Sequence, residues 1–395
     1  MEVNSAYDLS YILNHLGEER EQYMNAVSPP IFQSSNFCFP TVEAMRQGIA
    51  DEMNNPFYTR GCNPTVHILR KKLAALEGAE EAFVMSSGSA AMSTAVLSQV
   101  QAGDHIVCVN NPYSWTNKLL KHHLKKFGVT STFVRGIDPQ EYLQAIKPNT
   151  KLFILESPNS MSFELQDIEA VTSIAKSNNI LTIIDNSYST PLYQRAIELG
   201  ADITVYSASK YFGGHSDIVA GVICCSHKIA RKIFSAEYMT LGGIISPNDA
   251  WLMIRGLRTL PLRLDHIEKT TGKVINYLST EPLVAKINFP FLPSNPQYEL
   301  ALKQMKKAQG LFSIVMDATS PLQIEVFCNS LKRFLLACSW GGHESLVFPI
   351  CGLTSSDNYG VLPHPWNLIR FYIGLEDADV LIDDLKQAFE RARLV

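Results

Sequence analysis

The chain has 395 residues, of which 46% are hydrophobic and 18% are charged, and its formal net charge is −4. These values are typical of a globular chain long enough for two domains, and they argue against a disordered protein or a strongly basic one that binds nucleic acid. No apolar stretch is long enough to span a bilayer, and the first twenty residues lack a signal-peptide pattern, so we expect a cytoplasmic protein without membrane contact.

The eight cysteines indicate neither a metal site nor a disulfide framework. They occur at positions 38, 62, 108, 224, 225, 328, 338 and 351, and no pair has the CxxC spacing of a metal-ligand set. In a chain of this size such cysteines are typically reduced and buried, and they behave as small hydrophobic residues. We therefore predict no metal site.

The pattern along the chain first divides near residue 57. Residues 1–56 combine a helical opening with a proline-rich stretch, and we predict an N-terminal extended segment there. From 57 to 247 short apolar runs alternate with helical stretches. The runs are 82–85, 105–109, 132–134, 152–155, 181–184, 203–206 and 221–225. Continuous apolar strands that alternate with helices predict a large α/β domain with a mainly parallel sheet covered on both faces.

After residue 247 the pattern changes again. A long helical region covers 248–278, with an interruption near Pro261. Shorter apolar runs at 310–316, 334–339 and 368–373 then alternate with helices, up to a final helix over 378–393. We predict that residues 248–395 form a smaller α+β domain.

Three polar features follow predicted strands, where open α/β sheets gather their ligands. The turn 86–90 is rich in serine and glycine and opens a helix, so its backbone N–H groups could meet a phosphate. Asp185 follows the strand 181–184, and Lys210 follows the strand 203–206. Each feature alone also fits an ordinary structural role, as a helix cap, a turn aspartate or a lysine at a strand end.

In this order and spacing the three features fit one chemistry. A lysine amine at such a position can form an imine with an aldehyde. A carboxylate directly after a buried strand needs a cation, and a protonated pyridine nitrogen is such a cation. Ser207 and Ser209 flank Lys210 with hydroxyls suited to phosphate oxygens. The sequence therefore predicts a pyridoxal-phosphate (PLP) site around Asp185 and Lys210.

One stretch resembles the lysine motif of the Cys/Met-metabolism family of PLP enzymes: Ser207-Ala208-Ser209-Lys210-Tyr211, followed by Gly214-His215-Ser216-Asp217. The resemblance runs from about Val27 to the end of the chain and is densest from Asp185 to Gly221. It implies the fold-type I architecture of PLP-dependent transferases, in which a large domain with a mainly parallel sheet is followed by a smaller C-terminal α+β domain. The domains would cover 57–247 and 248–395.

The resemblance also implies the residues that hold and use the cofactor. Lys210 would bind it as an imine and then remove the Cα proton of the substrate. Asp185 would pair with the pyridine nitrogen, and Tyr113 would stack on the ring, so these three are the expected catalytic residues. The residues that would cradle the phosphate are Gly88, Ser89, Ser207 and Ser209.

Further roles implied by the resemblance concern the subunits and the substrate. Tyr58 and Arg60 would reach the phosphate of a neighbouring subunit, so the site would need at least a homodimer, and the family is usually tetrameric. Arg370 would clamp the substrate carboxylate through a bidentate fork, for which lysine is a poor substitute. Ser339 and Trp340 would contribute to the substrate pocket.

Two departures from the common family pattern resemble bacterial cystathionine β-lyases. Ser160 stands where many members have asparagine, and Trp340 stands where leucine is common. Trp115 is bulky where small residues are frequent, and it would narrow the pocket. The resemblance favours a carbon–sulfur lyase of trans-sulfuration and methionine biosynthesis, which splits cystathionine by β-elimination into homocysteine, pyruvate and ammonia. The alternatives are γ-elimination or γ-replacement, as in cystathionine γ-lyase, cystathionine γ-synthase and methionine γ-lyase.

Two other classes of function compete with a lyase. Ser207-x-x-Lys210 and Ser356-Asp357-Asn358 match two motifs of penicillin-recognising serine enzymes, but the third motif, Lys-Thr-Gly, is missing, since the nearest stretch, 269–272, is one residue too long. A regulatory protein that binds PLP without catalysis is the second rival. The complete set of predicted site residues argues against it.

Overall fold

Seven strands form the larger of two sheets in the computed structural model, which describes residues 7–353 and 364–395. Their β-branched and aliphatic residues are mostly buried, as expected for strands covered on both faces. The strands are β1 (Glu81–Met85), β2 (His105–Val109), β3 (Thr130–Val134), β4 (Thr150–Glu156), β5 (Leu181–Asp185), β6 (Ile203–Ser207) and β7 (Gly221–Cys225). Each contains one of the predicted runs, so all seven predicted strands are confirmed.

The order of strands across this sheet is β1-β7-β6-β5-β4-β2-β3. Strands β6, β5, β4, β2 and β3 are parallel, whereas β7 runs antiparallel to β6 and to β1. It follows that β1 points in the same direction as β6. The carboxyl ends of six strands and the amino end of β7 therefore share one side of the sheet, which we call the carboxyl edge.

Helices pack on both faces of the sheet. Along β1, Ala82 and Val84 belong to one hydrophobic cluster, whereas Phe83 and Met85 belong to another on the opposite face. The first ten helices are α1 (Leu9–Asn14), α2 (Val42–Ala50), α3 (Pro64–Glu77), α4 (Gly88–Leu97), α5 (Ser114–Lys118), α6 (Gln140–Gln144), α7 (Ile168–Ser177), α8 (Thr190–Tyr193), α9 (His227–Ile233) and α10 (Met239–Leu241). Short 3-10 or π-helical turns occur at Arg20–Tyr23, Leu119–His123, Leu124–Phe127, Phe234–Tyr238 and Ile350–Leu353.

Two helices lead from the larger sheet to the smaller one. They are α11 (Pro247–Arg258) and α12 (Leu260–Leu278), and their junction confirms the interruption predicted near Pro261. The remaining helices are α13 (Tyr298–Gln304), α14 (Pro321–Ser330) and α15 (Ala378–Ala392). None of the helices in the described part of the chain is long and apolar enough to cross a membrane.

The smaller sheet has five strands in the order β10-β11-β12-β9-β8. They are β8 (Val284–Asn288), β9 (Leu311–Met316), β10 (Leu335–Leu336), β11 (Leu346–Pro349) and β12 (Leu368–Tyr372). The predicted run 334–339 yields only the short β10, and Ser339 adopts a left-handed conformation with φ of 75°. The two sheets lie on either side of residue 247 in sequence, and the proposed domain limits stay a prediction. The Ser356-Asp357-Asn358 motif lies outside the described residues.

Candidate active site

A serine- and glycine-rich turn follows β1 at the carboxyl edge. The hydroxyl of Ser87 caps α4 by accepting a hydrogen bond from the N–H of Ala90 at 3.0 Å. The remaining N–H groups of the first helical turn, which include those of Gly88 and Ser89, have no partner within the helix. Together with the positive end of the helix dipole, they form a cradle for an anion.

This turn packs directly against β6 and β7. A Cβ atom on Gly88 would lie 2.9 Å from Cβ of Ser207, and one on Gly221 would lie 2.1 Å from the carbonyl oxygen of Ser87. Only glycine permits so close an approach at either position. The backbone N–H of Ser207 donates to Ser187 Oγ at 2.7 Å, while its hydroxyl bonds no other described residue. The Ser207 hydroxyl therefore remains available beside the N–H groups of the turn.

Ser209 differs from the other predicted phosphate residues. Its hydroxyl donates to the carbonyl of Ala220 at 3.2 Å and accepts from the N–H of Ala220 at 2.9 Å. These two bonds fasten the turn that follows β6 to the residues that precede β7. A hydroxyl has a single proton to donate, so Ser209 could donate to a phosphate only by releasing Ala220.

Replacing Gly221 with alanine is expected to destabilise the fold by about 3 kcal/mol, because the added methyl group would overlap the Ser87 carbonyl, which is backbone and cannot rotate away. Gly272 in α12 provides the matched control, because a Cβ added there would meet no atom within 4 Å. Gly272→Ala should leave stability unchanged or raise it by about 0.5–1 kcal/mol. Denaturant unfolding of both variants measures the difference, and equal stability would contradict the steric argument.

Asp185 ends β5, between the ends of β4 and β6. Its Oδ1 accepts hydrogen bonds from the N–H of Ser187 at 3.0 Å and from the Ser187 hydroxyl at 2.6 Å. Its Oδ2 has no hydrogen-bond donor among the described residues. Burial raises the pKa of Asp185, and the hydrogen bonds from Ser187 and the charge of Lys210 oppose that rise. Within the described part of the chain, Asp185 thus has one carboxylate oxygen without a donor, and burial disfavours its negative charge. A cationic ring nitrogen beside that oxygen would stabilise the charge.

Glu156 is a second carboxylate at this edge, and it is not among the site residues predicted from the sequence. It ends β4 opposite Asp185. Its Oε2 accepts from the N–H of Tyr113 at 2.7 Å, and its Oε1 accepts from the N–H of Ser160 at 2.9 Å and from the Ser160 hydroxyl. Burial, followed by the charge of Asp185, raises the pKa of Glu156. The same signal that revealed Asp185, a carboxylate at the end of an apolar run, was available for Glu156.

Lys210 lies in the turn after β6, and its amine faces the small-domain loop that follows β10. Its Nζ donates to Ser339 Oγ at 2.6 Å and lies 5.6 Å from the centre of the Trp340 ring. A Cβ on Gly341, which has φ of +89°, would lie 2.7 Å from Cα of Lys210, so this loop rests directly on the lysine backbone. Burial, followed by the charge of Arg370, lowers the pKa of Lys210 to about 8.

Trp340 forms one wall beside the lysine. It is buried and meets the ring of Tyr211 edge to face, with 5.3 Å between ring centres. Tyr211 is itself fully buried, and its hydroxyl accepts a hydrogen bond from the N–H of Gly310 at 3.2 Å. The indole thus packs against a tyrosine ring whose own position is fixed by a residue near β9.

Arg370 projects from the middle of β12. Its Nη2 donates to the carbonyl of Ser339 at 3.4 Å, and its Nη1 lies 3.5 Å from Met161 Sδ. Among the described residues no carboxylate pairs with it. Burial lowers the pKa of Arg370 to about 10, which still leaves the guanidinium charged at neutral pH. A partly buried cation that pairs with no anionic group in the described part of the chain fits a carboxylate-bearing ligand.

Three other predicted site residues are exposed in the single chain. Tyr113 is 46% exposed at the start of α5, with its backbone fixed by Glu156. Tyr58 is 42% exposed, and the guanidinium of Arg60 lies 5.4 Å from the centre of its ring. The structure thus brings Lys210, Ser339, Trp340 and Arg370 into one cluster, whereas Tyr58 and Arg60 make no hydrogen bond to that cluster.

The residues at the carboxyl edge fit pyridoxal phosphate. The glycine-lined turn and the Ser207 hydroxyl suit its phosphate, the free oxygen of Asp185 suits its ring nitrogen, and the amine of Lys210 suits its aldehyde. No cluster of His, Cys, Asp and Glu within residues 7–353 and 364–395 could hold a metal ion.

Comparisons with known proteins agree with this chemistry. A family model described as Cys/Met metabolism PLP-dependent enzyme matches residues 11–390. The chain is 37% identical to an L-methionine γ-lyase of Treponema denticola over 384 residues, which are 95% of each chain. It is 34% identical to a cystathionine γ-lyase of Bacillus subtilis, over 96% of this chain and 98% of the relative. A crystal structure of metB from Corynebacterium glutamicum superposes with a TM-score of 0.91 and 33% identity, over 99% of both chains.

Proposed function

The chain belongs to the Cys/Met metabolism family of PLP-dependent enzymes, with its type I fold, and we propose that it cleaves the Cβ–S bond of cystathionine. The products would be homocysteine, pyruvate and ammonia. The observation that carries this proposal is the contact of Ser339 with two cations, since its hydroxyl accepts from Lys210 and its carbonyl accepts from Arg370. Ser339 therefore lies between Lys210, which would act as the base at Cα, and Arg370, which would bind the carboxylate. An α-amino acid substrate needs both groups close together.

Arg370 would bind the substrate first. Its two terminal nitrogens make long contacts, one with the Met161 thioether and one with the Ser339 carbonyl. A carboxylate could replace these contacts with two charge-assisted hydrogen bonds. Binding at this point fixes the substrate at one end and directs its α-amino group and Cα toward Lys210. Because Arg370 is partly buried, water screens its attraction for a carboxylate less than it would at a fully exposed site.

Lys210 would then move the proton of Cα. The cofactor, when bound, supplies an electron sink for the charge that this proton leaves behind. Because the pKa of Lys210 is lowered to about 8, a substantial fraction of the amine is neutral near physiological pH and can accept the proton. The Ser339 hydroxyl, 2.6 Å away, holds the amine in place through this transfer. The protonated amine is then a suitable acid for the departing thiol sulfur.

Asp185 would keep the ring nitrogen of the cofactor protonated. Its position at the end of β5 is fixed by the two hydrogen bonds from Ser187, and Oδ2 is left for the ring. Glu156 supports the same region from β4, because it fixes the backbone of Tyr113, which we propose stacks on the ring. This arrangement preserves the electron sink at the moment when the Cα proton leaves.

Two residues support β-elimination over γ-elimination. Trp340 is packed against Tyr211 beside the lysine amine, and Ser160 uses its hydroxyl on Glu156, so Ser160 does not supply the amide group common at this position. Both features resemble bacterial cystathionine β-lyases. The relatives described above are a methionine γ-lyase and a cystathionine γ-lyase, and γ-elimination is therefore the alternative. It needs an additional proton transfer at Cβ that the same lysine could perform.

A product assay with cystathionine tests the proposal. We expect pyruvate and homocysteine to form in equal amounts. Formation of 2-oxobutyrate and cysteine would show γ-elimination instead, and the family assignment would stand. Inactivity toward cystathionine, methionine and other thioether amino acids, with the cofactor bound, would favour a regulatory PLP-binding protein.

The proposal extends to assembly and setting. We propose a homo-oligomer of at least two subunits, because Tyr58 and Arg60 are exposed and, within the described part of the chain, form no hydrogen bond with Lys210, Ser339, Trp340 or Arg370. Each would then complete the phosphate site of a neighbour. We further propose a cytoplasmic enzyme that supplies homocysteine for methionine biosynthesis.

A further inference from the structure

The guanidinium of Arg370 is partly buried, and its contacts are weak. Its Nη1 meets the thioether of Met161 at 3.5 Å, its Nη2 meets the carbonyl of Ser339 at 3.4 Å, and its Cζ lies 5.2 Å from the centre of the Phe348 ring. A thioether is among the weakest acceptors in proteins. The guanidinium is therefore oriented without being neutralised.

Met161 itself is firmly placed. Its N–H donates to Asn159 Oδ1 at 3.2 Å, and its carbonyl accepts from Ser313 Oγ at 2.9 Å. Ser313 lies on β9 directly opposite Arg370 on β12, and its hydroxyl also accepts from Asn288 Nδ2 at 3.0 Å. Ser313, which pairs with Arg370 in the sheet, thus fixes the backbone of Met161, and the Met161 thioether contacts the Arg370 side chain.

The chemistry of position 161 bears directly on the binding of a carboxylate. A carboxylate or amide side chain there would form a strong hydrogen bond with Arg370 and compete with the substrate. A purely hydrocarbon side chain would pack against the guanidinium but would offer it no acceptor. A thioether lies between these extremes. It accepts a weak hydrogen bond that orients Nη1, and a substrate carboxylate can easily displace it.

We propose that Met161 is a positioning residue for Arg370. The Met161 thioether holds the guanidinium fork beside Ser339, next to the Lys210 amine, while leaving it free to bind the substrate carboxylate. The inference rests on the carboxylate-binding role proposed above for Arg370. It adds a residue outside the lysine motif whose size, flexibility and weak basicity set the affinity for the amino-acid end of the substrate.

The test compares Met161→Leu and Met161→Gln in the cofactor-loaded enzyme. The probe is L-alanine, which has an amine and a carboxylate but no thioether, and its dissociation constant is read from the cofactor absorbance. We expect L-alanine to bind about threefold more weakly to Met161→Leu and about tenfold more weakly to Met161→Gln, because the first loses an acceptor and the second gains a competing one. Ethylamine, which lacks the carboxylate, should bind all three proteins alike.

Labelling of Arg370 by phenylglyoxal, followed by peptide mass spectrometry, gives a readout that does not depend on the cofactor spectrum. Its rate should change in both variants, since the guanidinium either loses or tightens its contact with residue 161. Met305→Leu is the matched control, because the Met305 thioether also accepts a hydrogen bond, from Ser189 at 3.3 Å, away from Arg370. It should match the wild type in L-alanine binding and in labelling.

Arg370→Lys separates failure of this inference from failure of the proposed function. If Arg370→Lys binds L-alanine as tightly as the wild type, the carboxylate role of Arg370 is wrong and the inference falls with it. If Arg370→Lys binds weakly while both Met161 variants bind normally, the inference alone is overturned. The unfolding midpoint of each protein is measured first, and if one Met161 variant fails to fold, the other decides.

Discussion

Lys210→Ala should lower kcat/KM for cystathionine by about 10³-fold or more, because it removes the group that accepts the Cα proton. The loss should not arise from unfolding. Among the residues that the structure describes, the Lys210 side chain makes one hydrogen bond, to the Ser339 hydroxyl. The adjoining turn is held by backbone contacts such as that from the N–H of Gly214 to the carbonyl of residue 210 at 2.8 Å. We expect an unfolding midpoint close to that of the wild type for the protein without cofactor.

Two measurements make this expectation specific to Lys210. Borohydride reduction of the wild type, followed by tryptic mapping, should find the pyridoxyl group on Lys210. Lys303→Ala is the control, because Lys303 is exposed and forms ion pairs with Asp167 and Glu169 on the surface. It should keep wild-type activity, since such pairs contribute little. A pyridoxyl group on another lysine would refute the assignment.

The larger sheet and the main site residues could be predicted because they follow one local rule. Short, fully apolar runs form buried parallel strands, and polar residues directly after them meet at one edge. Asp185, Lys210 and the turn at Ser87 all satisfy this rule, and each could be located without knowledge of the strand order. Glu156 satisfies the same rule at the end of β4, and what the sequence does not show is its partners, since the hydrogen bonds from Tyr113 and Ser160 depend on how the chain folds after β2 and β4.

The smaller sheet could be predicted only in part. Strands β9 and β12 have the same apolar pattern and lie in the predicted runs 310–316 and 368–373, whereas β8 and β11 lack it. Strand β8 carries exposed residues in its middle, and β11 ends in Pro349, which is unusual within a strand. The contact between Met161 and Arg370 joins residues that are 209 positions apart, and the packing of the two sheets alone creates it. The hydrogen bonds between the Ser209 hydroxyl and the Ala220 backbone could not be predicted from the sequence either. A serine beside the lysine matches the motif whichever group its hydroxyl binds.

Asp185→Asn should lower kcat for cystathionine cleavage by about 10²- to 10³-fold, because it removes the charge that keeps the cofactor ring protonated. The substitution is nearly isosteric. The amide oxygen can still accept from the N–H and hydroxyl of Ser187, which now hold Oδ1 at 3.0 and 2.6 Å. The free energy of unfolding should therefore stay close to that of the wild type or rise. The raised pKa of Asp185 indicates that burying its charge costs free energy, and asparagine avoids that cost.

The protonation state of the ring separates this electrostatic role from a merely structural one. With ¹⁵N-labelled cofactor, the ring-nitrogen resonance should report a protonated pyridine in the wild type and an unprotonated one in Asp185→Asn. Asp265→Asn is the control, because Asp265 pairs with Lys307 on the surface and its carboxylate is half exposed. It should leave both the resonance and kcat unchanged. A protonated ring in Asp185→Asn together with a large loss of kcat would mean that Asp185 positions the ring, and that another group supplies its charge.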